Sequence, residues 1–223
     1  MNMRASLSAA AALLETALDM VLPRRERSLR AARYGADDLA PEPAIHFAFG
    51  REIATLFAYR RGAVEDAIRA LKYDRSAPAA TLLADALAGY LFEELADLRR
   101  FSARRTLLVP VPLHGARARV RGYNQVECVL ERLPAELRNG SLSRYAPEAL
   151  ARTRDTLPQT RLTRDARLKN VAGAFAVPSA ALVEGAHILL IDDVTTTGAT
   201  LLEAARPLER AGATVSLFAL AHA

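Results

Sequence analysis

The chain has 223 residues, which is enough for one large domain or for one domain with a small appendage. Hydrophobic residues make up 51% and charged residues 25%, a composition that excludes disordered, collagen-like and membrane-embedded chains. The formal net charge is +5, but residues 99–169 hold sixteen basic and six acidic residues, so this stretch alone carries +10. One part of the chain is therefore strongly basic.

Cysteine content and apolar runs indicate the compartment. Cys128 is the only cysteine, which excludes an internal disulfide and a multi-cysteine zinc site, and we expect a cytoplasmic protein. Residues 5–22 are apolar enough to imitate a signal peptide, but Glu15 and Asp19 interrupt them, and an amphipathic helix is the better interpretation. No other apolar run approaches membrane-spanning length.

Apolar periodicity divides the chain into two predicted regions. Residues 1–45 are expected to form the amphipathic helix and an Arg-rich connector, and residues 46–223 one α/β domain. In chain order its predicted elements are one or two strands within 45–59, helices over 63–73 and 79–98, a strand over 106–111, a helix over 123–133, a strand over 187–191, a helix over 201–211 and a strand over 214–221. Residues 138–170 are polar and weakly patterned, which predicts a long surface excursion.

The pattern of the strands predicts how they pair. The strands over 106–111 and 187–191 are continuously apolar, which is typical of strands buried on both faces in a parallel sheet. The last three elements form a strand, helix, strand unit, which requires a parallel pair with a right-handed crossover. The predicted fold class is α/β, with a mainly parallel, twisted sheet flanked by helices.

The most informative stretch is residues 187–200, in which an apolar strand ends in the adjacent carboxylates Asp192 and Asp193. A loop follows and leads into a helix; its residues are Thr195, Thr196, Thr197, Gly198, Ala199 and Thr200. The start of a helix presents unpaired backbone N–H groups, and the hydroxyls stand beside them, so a phosphate is the expected occupant. Gly198 lets the backbone approach that phosphate closely.

The two carboxylates need their own explanation, since they would repel a phosphate unless they accept hydrogen bonds from hydroxyls or hold metal-bound waters. A sugar 5-phosphate meets both needs, with the phosphate in the loop and the ribose 2- and 3-hydroxyls on Asp192 and Asp193. The alternative is an acidic turn before a capped helix, but a cap needs only one Thr. No Lys follows Gly198, which excludes a Walker loop, and no Gly-x-Gly-x-x-Gly motif indicates a dinucleotide.

Residues 188–200 resemble the signature of type I phosphoribosyltransferases, which bind 5-phosphoribosyl 1-pyrophosphate (PRPP). Further motifs resemble the ComF family, phosphoribosyltransferase-like proteins linked to DNA uptake in competent bacteria. These motifs are Ala70-Leu-Lys72-Tyr73, Val109-Pro110-Val111-Pro112-Leu113-His114, Arg121-Gly122-Tyr123-Asn124-Gln125, and then Arg152, Thr156, Gln159, Leu162, Arg167, Asn170, Gly173 and Phe175. The resemblance implies the type I phosphoribosyltransferase fold, with Asp192 and Asp193 as catalytic residues and 195–200 as the 5-phosphate loop.

The chain departs from this family near its N-terminus. ComF proteins usually carry a cysteine-rich zinc-binding module after an apolar helix that ends in Leu-Pro, and here Leu22 and Pro23 are followed by no cysteine before Cys128. One cysteine and four histidines cannot assemble the usual tetrahedral site, so we expect no zinc.

The resemblance also implies a loop that binds pyrophosphate after the strand over 106–111. The implied contacts are Val111, Pro112, Leu113, His114, Arg117, Arg121 and, at the end of an earlier helix, Lys72. A rigid strand exit with a solvated His114 is the alternative. Three interpretations are open for Arg117, Arg119 and Arg121: they contact pyrophosphate, they contact a nucleic acid, or they form a solvated basic turn. Lys72 either reaches phosphate or interacts favourably with the end of its helix.

Two later segments are predicted to lie near the ligand. Tyr123, Asn124 and Gln125 begin a helix and either cap it or contact the ligand. Residues 152–170 are expected to contain the loop that covers the ligand. Cys128 lies on an apolar helix, where buried packing is expected.

The implied reaction is displacement of pyrophosphate at ribose C1 through an oxocarbenium-like transition state, with Mg²⁺ on pyrophosphate and ribose oxygens. Purine-salvage relatives carry an acid at the position of Thr196, so a hypoxanthine-type enzyme is not expected and the acceptor stays open. Two functions remain: a phosphoribosyltransferase (a glycosyltransferase), and a non-catalytic module that senses PRPP or associates with single-stranded DNA in the DNA-import machinery. An intact PRPP site is compatible with both.

Overall fold

The computed structural model describes residues 29–60, 62–113, 122–153 and 173–223. The helices in these ranges are α1 (Ala36–Leu39), α2 (Gly62–Asp74), α3 (Ala77–Phe101), α4 (Gln125–Leu130), α5 (Ala135–Arg138), α6 (Ala180–Val183) and α7 (Ala199–Arg210), with a 3₁₀ turn at Pro147–Ala149. The strands are β1 (Ala44–Ala48), β2 (Arg51–Ala58), β3 (Thr106–Pro110), β4 (Arg144–Tyr145), β5 (Ala151–Arg152), β6 (Phe175–Ala176), β7 (His187–Thr195) and β8 (Thr214–His222). Over the described ranges, no helix combines the length and the apolar character that crossing a bilayer requires. The helix predicted within 5–22 lies outside the described residues.

Six strands form one sheet in the order β1-β2-β8-β7-β3-β4. β1 and β2 form an antiparallel hairpin whose turn residues, Phe49 and Gly50, both have positive φ, whereas the other neighbouring strands are parallel. β7, α7 and β8 form the predicted strand, helix, strand unit with a parallel pair. The predicted α/β class with a mainly parallel sheet is confirmed.

Helices cover both faces of the sheet, and each face has its own hydrophobic core. Alternating residues of β7 belong to the two cores in turn. Leu189 and Ile191 pack with residues of α2, α3 and α4, whereas Ile188 and Leu190 pack with residues of α6 and α7. Burial on both faces accounts for the unbroken apolar run of this strand. The carboxyl ends of the parallel strands lie at one edge of the sheet, here called the carboxyl edge, where ligands bind in open α/β sheets.

The structure describes residues 138–153 of the predicted surface excursion over 138–170: residues 138–141 are exposed, as predicted, but the prediction is wrong for the stretch that follows. β4 pairs with β3, and Ala146 and Ala149 behind it are fully buried. These elements are two or three residues long, which is too short for an apolar period to be visible in the sequence. Residues 154–172 lie outside the described part.

The end of the Arg-rich connector packs against the domain. α1 precedes β1, and its Leu39, like Ala31 before it, is buried in the core that α2 and α3 share. The sequence predicts an irregular connector there, and the structure adds helical residues at 29–31 and the single turn of α1. The division of the chain at residue 45 stays a prediction.

Candidate functional site

The predicted acidic pair lies at the carboxyl edge, near the end of the central strand β7. Side chains alternate between the two faces of a strand, so Asp193 follows Leu189 and Ile191 onto the face covered by α2 to α4. Asp192 faces the other side and is half-buried, whereas Asp193 is only 7% exposed. The two neighbouring carboxylates therefore have different surroundings.

Asp193 is held by two side chains from different helices. The Lys72 ammonium, near the end of α2, lies 2.9 Å from Oδ2 of Asp193. The Gln125 amide, at the start of α4, donates a hydrogen bond to the same oxygen. The backbone N–H of Val194 donates to Oδ1 at 2.5 Å. This carboxylate has a charged partner and satisfied acceptors, as a buried charge requires.

The electrostatics of the site separate the two carboxyl groups. Burial opposes ionisation of Asp193, but the Lys72 ammonium and the hydrogen bonds outweigh it, so the pKa of Asp193 lies below its ordinary value. Burial, with the added repulsion of the charged Asp193, raises the pKa of Asp192 to about 7, although Lys72 and Arg152 partly oppose this rise. Burial also acts to lower the pKa of Lys72, but the attraction of Asp193 prevails and raises it. Asp193 and Lys72 are thus an ion pair at neutral pH, while Asp192 titrates there.

Tyr123, Asn124 and Gln125 connect three separate parts of the site. The Tyr123 hydroxyl lies within hydrogen-bond distance of the carbonyl oxygens of Leu71 and Lys72, at 2.7 and 2.9 Å. Asn124 caps α4 through Oδ1, which is one of the two alternatives left open from the sequence, and its Nδ2 donates to the carbonyl oxygen of Val111 at 3.1 Å. Gln125 holds Asp193. Each residue of this motif therefore fixes a different element at the carboxyl edge.

The predicted phosphate loop connects β7 to α7 directly. β7 extends to Thr195, and α7 starts at Ala199, so the loop itself is shorter than the predicted stretch. Gly198 has φ +73°, and a Cβ there would lie 2.5 Å from Cδ1 of Ile53 and 2.9 Å from Cβ of Ala48. Only glycine fits this position, because both the backbone conformation and the space exclude a side chain.

The predicted pyrophosphate loop lies beside β7. Val111 continues β3, is buried, and its N–H donates to the carbonyl oxygen of Ile191 at 2.8 Å; Pro112 and Leu113 after it are half-buried. Arg152 donates from Nη1 to the carbonyl oxygen of Pro112 at 3.4 Å. The loop and the acidic strand end are thus neighbours, as the resemblance implied. The other predicted contacts, His114, Arg117, Arg119 and Arg121, lie outside the described residues.

The sequence did not predict the contacts that two residues of the site, Arg152 and Gln125, make. Arg152 was assigned only to the loop that covers the ligand, but its guanidinium lies 5.0 Å from the centre of the Phe175 ring and close enough to Asp192 to influence its pKa. Gln125 was left open between a cap and a ligand contact, and the structure places it on Asp193. Their positions in known family motifs were the only signal, and a motif does not specify which partner a side chain meets.

The fold and the site define the class: an α/β protein whose central parallel strand ends in a carboxylate pair and passes through a Thr- and Gly-rich loop into a helix. Residues 76–222 match the family model described as the phosphoribosyl transferase domain, and the chain belongs to that family. The resemblance to the ComF family is confirmed by the relatives.

Three relatives illustrate the similarity. The chain is 34% identical over 156 residues to DNA utilization protein YhgH of Escherichia coli O6:H1, covering 69% of this chain and 64% of that protein. It is 33% identical over 141 residues to the protein of the same name from Salmonella typhimurium, covering 62% and 60%. It is 32% identical over 106 residues to Competence protein F of Haemophilus influenzae, covering 47% and 44%. The chain thus spans slightly less than two thirds of the length of the YhgH proteins.

Proposed function

We propose that the chain binds PRPP together with Mg²⁺ and transfers its phosphoribosyl group to an acceptor, with release of pyrophosphate. The observation that carries this proposal is the position of Asp192 next to the loop at Gly198, where the chain leaves a central parallel strand for a helix. A phosphate and a ribose diol are the ligand groups that suit these two features. Membership of the phosphoribosyl transferase domain family supports the same conclusion.

The phosphate end of PRPP is assigned to the loop between β7 and α7. The first turn of α7 has backbone N–H groups without partners inside the helix, and the helix dipole adds positive potential there. Gly198 allows the positive φ with which the chain enters α7. Asp192 would accept hydrogen bonds from the ribose hydroxyls, and its negative charge would stabilise the positive charge that develops on the sugar ring.

The pyrophosphate end is assigned to the loop that starts at Val111. Asn124 and Arg152 each hold a backbone carbonyl of this loop, so its shape is set before the ligand arrives. The charge of Arg152 would attract the leaving pyrophosphate. Oxygen donors suit Mg²⁺, which would be held by PRPP oxygens with its water shell against Asp192. When bound, the ion neutralises charge on the leaving group.

The direct test is release of pyrophosphate from Mg²⁺–PRPP in the presence of panels of nucleobases, amines and other nitrogen compounds as acceptors. Calorimetry measures PRPP binding separately from turnover. We expect Asp192→Asn to lose at least about tenfold in affinity, because hydrogen bonds to a charged group contribute about 1.5–3 kcal/mol. Asp85→Asn, at an exposed carboxylate on α3, is the matched control and should bind like the wild type. A wild-type protein with no affinity for PRPP would overturn the proposal.

PRPP binding without turnover is the alternative within this proposal. It would leave the calorimetric signal intact, and no acceptor would release pyrophosphate. Thr196, which replaces the acid of purine-salvage relatives, is exposed beside the loop and supports an acceptor other than a hypoxanthine-type base.

A second candidate function, contact with single-stranded DNA, has its own observation. Four arginines line a groove of ≈490 Å³ at the start of β3, the opposite edge of the sheet from Asp192; they are Arg99, Arg104, Arg105 and Arg144. Among the described residues, no acidic side chain lines this groove. Phe101, which precedes the lining residue Ser102 in the chain, is 89% exposed and offers a surface on which a base can stack. The names of the relatives, which refer to DNA utilization and competence, agree with such a partner.

Fluorescence anisotropy with a labelled oligonucleotide tests this candidate. Arg104→Ala with Arg105→Ala should weaken binding and reduce the salt slope by about 0.7 for each lost phosphate contact. Phe101→Ala should weaken binding without changing the slope. Arg60→Ala, an exposed arginine at the carboxyl edge, is the control for charge. If PRPP displaced the oligonucleotide, the two ligands would share a site and the groove would be the wrong location.

A further inference from the structure

The first strand of the sheet, β1, is an edge strand that carries exposed apolar side chains. In the order β1-β2-β8-β7-β3-β4, its only neighbour among the described strands is β2. Ile45 and Phe47 are 61% and 74% exposed, and Phe49, which follows them, is 49% exposed. We propose that β1 is a dimer interface, where it pairs antiparallel with β1 of a second copy of this chain. This inference is independent of PRPP, because two strands separate β1 from β7.

The hydrogen-bond pattern of the β1–β2 hairpin leaves part of β1 without partners. The pair Ala48 and Arg51 flanks the two-residue turn, and the flanking pair of such a turn is hydrogen-bonded. Bonded and non-bonded pairs alternate along an antiparallel ladder, so the N–H and C=O groups of Ile45 and Phe47 point away from β2. No hydrogen bond joins these four groups to another described residue. An edge of this kind is a template for a further strand.

The sequence of β1 indicates that this further strand is a second β1. The strand Ala44–Ala48 is symmetrical about His46, with a large apolar side chain and then an alanine on each side. Antiparallel pairing on a two-fold axis at His46 places Ile45 of one copy opposite Phe47 of the other, and the reverse. These two pairs would complete four backbone hydrogen bonds. A two-fold dimer requires a self-complementary surface of this kind.

Two features of the neighbouring chain restrict the pairing to this register. Pro43, directly before β1, has no N–H to donate. Phe49, directly after β1, has φ +52° and belongs to the turn. A shift of the pairing in either direction would therefore lose backbone hydrogen bonds.

The charges beside β1 are compatible with two-fold pairing. β1 contains no Asp, Glu, Lys or Arg, the residues that commonly protect an edge strand from association. Burial, with the neighbouring His222, lowers the pKa of His46, so the axis does not bring two positive charges together at neutral pH. At each end of the interface, the register places Glu42 of one copy opposite the turn of the other. This position is close to Arg51, which also pairs with Glu209.

The area available on β1 indicates a weak dimer. Since an aromatic side chain has about 150–250 Å² of surface, the exposed parts of Ile45, Phe47 and Phe49 amount to about 700 Å² over two copies. The paired backbone and the flanking side chains add to this area. The total is typical of transient interfaces, which bury less than about 1,200 Å². We therefore expect a monomer–dimer equilibrium that depends on protein concentration.

Sedimentation velocity of the full chain over a range of concentrations measures this equilibrium. We expect the wild type to change reversibly from monomer to dimer. Phe47→Lys should raise the dissociation constant of the dimer at least about tenfold, because it replaces a central aromatic side chain with a charge. Phe92→Lys, at an exposed phenylalanine on α3, is the matched control and should dimerise like the wild type. Melting temperatures at low concentration show that each variant folds.

Disulfide cross-linking tests the register. Residues opposite each other in a non-bonded pair have Cα atoms about 4.5 Å apart, which suits a disulfide. His46→Cys lies on the axis, so mild oxidation should convert it to a covalent dimer. Ala44→Cys is the control on the same strand, because the two copies of residue 44 would be about 13 Å apart. Both variants retain the buried Cys128.

Four outcomes would overturn the inference. A wild type that stays monomeric at every concentration has no dimer interface on β1. If its Ile45 and Phe47 amides are nevertheless protected from hydrogen exchange, another part of the chain covers this edge. A dimer that persists in Phe47→Lys uses a different surface. Equal cross-linking of Ala44→Cys and His46→Cys excludes the two-fold pairing at His46.

Discussion

Nδ2 of Asn124 lies 3.1 Å from the carbonyl oxygen of Val111, while Oδ1 of the same side chain accepts from the N–H of Val126. One side chain therefore caps α4 and holds the backbone at the start of the pyrophosphate loop. The two tasks use different atoms of the amide, so substitutions can separate them.

Asn124→Ala removes both interactions and should lower the free energy of unfolding by about 1–2 kcal/mol, measured by urea denaturation. Asn124→Ser keeps an oxygen that can cap the helix but is too short to reach Val111. We expect it to restore most of the stability and to leave PRPP affinity reduced. Equal PRPP affinity in all three proteins would show that the contact with Val111 does not shape the loop.

Gly198→Ala should be strongly destabilising, because the new Cβ meets Ile53 and Ala48 in addition to adopting an unfavourable positive φ. Conformational strain costs about 1 kcal/mol and overpacking about 1–3 kcal/mol more. Gly185→Ala is the matched control, since Gly185 has φ +68° but a Cβ at this position would have no other atom within 4 Å. We expect the control to lose only the strain energy. Similar losses in the two variants would contradict the close packing at Gly198.

The raised pKa of Asp192 predicts a dependence of stability on pH. Between about 4, the pKa of an unfolded Asp, and about 7, the native protein retains a proton that the unfolded chain has lost. Stability should therefore decrease as the pH rises through this range and become constant above it. Asp193 has the opposite effect, because its pKa is lower in the native protein than in the unfolded chain. Its ionised form stabilises the native protein at pH values above the pKa of an unfolded Asp. This stability is lost as the pH falls through the lowered pKa of the native protein. Melting temperatures of wild type and Asp192→Asn from pH 4 to 8 test this, and an identical slope in the variant would refute it.

Arg152→Lys should weaken binding of pyrophosphate about tenfold, measured as product inhibition or by calorimetry with Mg²⁺–pyrophosphate. A lysine keeps the charge but loses the planar group that lies on the Phe175 ring and donates to Pro112. Arg144→Lys, at an exposed pair with Glu148, is the control and should have no effect. Unchanged pyrophosphate affinity in Arg152→Lys would exclude Arg152 from the pyrophosphate site.

The protein should fold without zinc, so EDTA should leave its melting temperature unchanged when PRPP is absent. The one cysteine, Cys128, is buried, and His187 bonds to Ser216 at the opposite edge of the sheet from the stacked pair His46 and His222. Among the described histidines and the cysteine only His46 and His222 lie close together, and two ligands do not complete the usual tetrahedral zinc site. A fall of several degrees with EDTA would show that a metal stabilises the fold.

The central part of the site could be predicted from the amino-acid sequence alone, because its groups are contiguous in the chain. The apolar run of β7, the carboxylates at its end, the glycine and the helix that follows all obey local rules of periodicity and backbone conformation. The parallel pairing of β7 with β8 followed from the helix between them. The short elements around Ala146 could not be found in this way, since two or three residues carry no period.

The partner of each carboxylate, by contrast, depends on the three-dimensional packing. Gln125 is 68 residues from Asp193 in the chain, and Lys72 is farther still. They meet because the sheet places β7 in its centre, with α2 and α4 packed on the face to which Asp193 points. Local patterns report whether a residue is buried, but the partner of a buried charge is set by long-range packing of helices on the sheet. The alternation of side chains along β7 directs Asp192 and Asp193 to opposite faces, and the packing gives those two faces different surroundings.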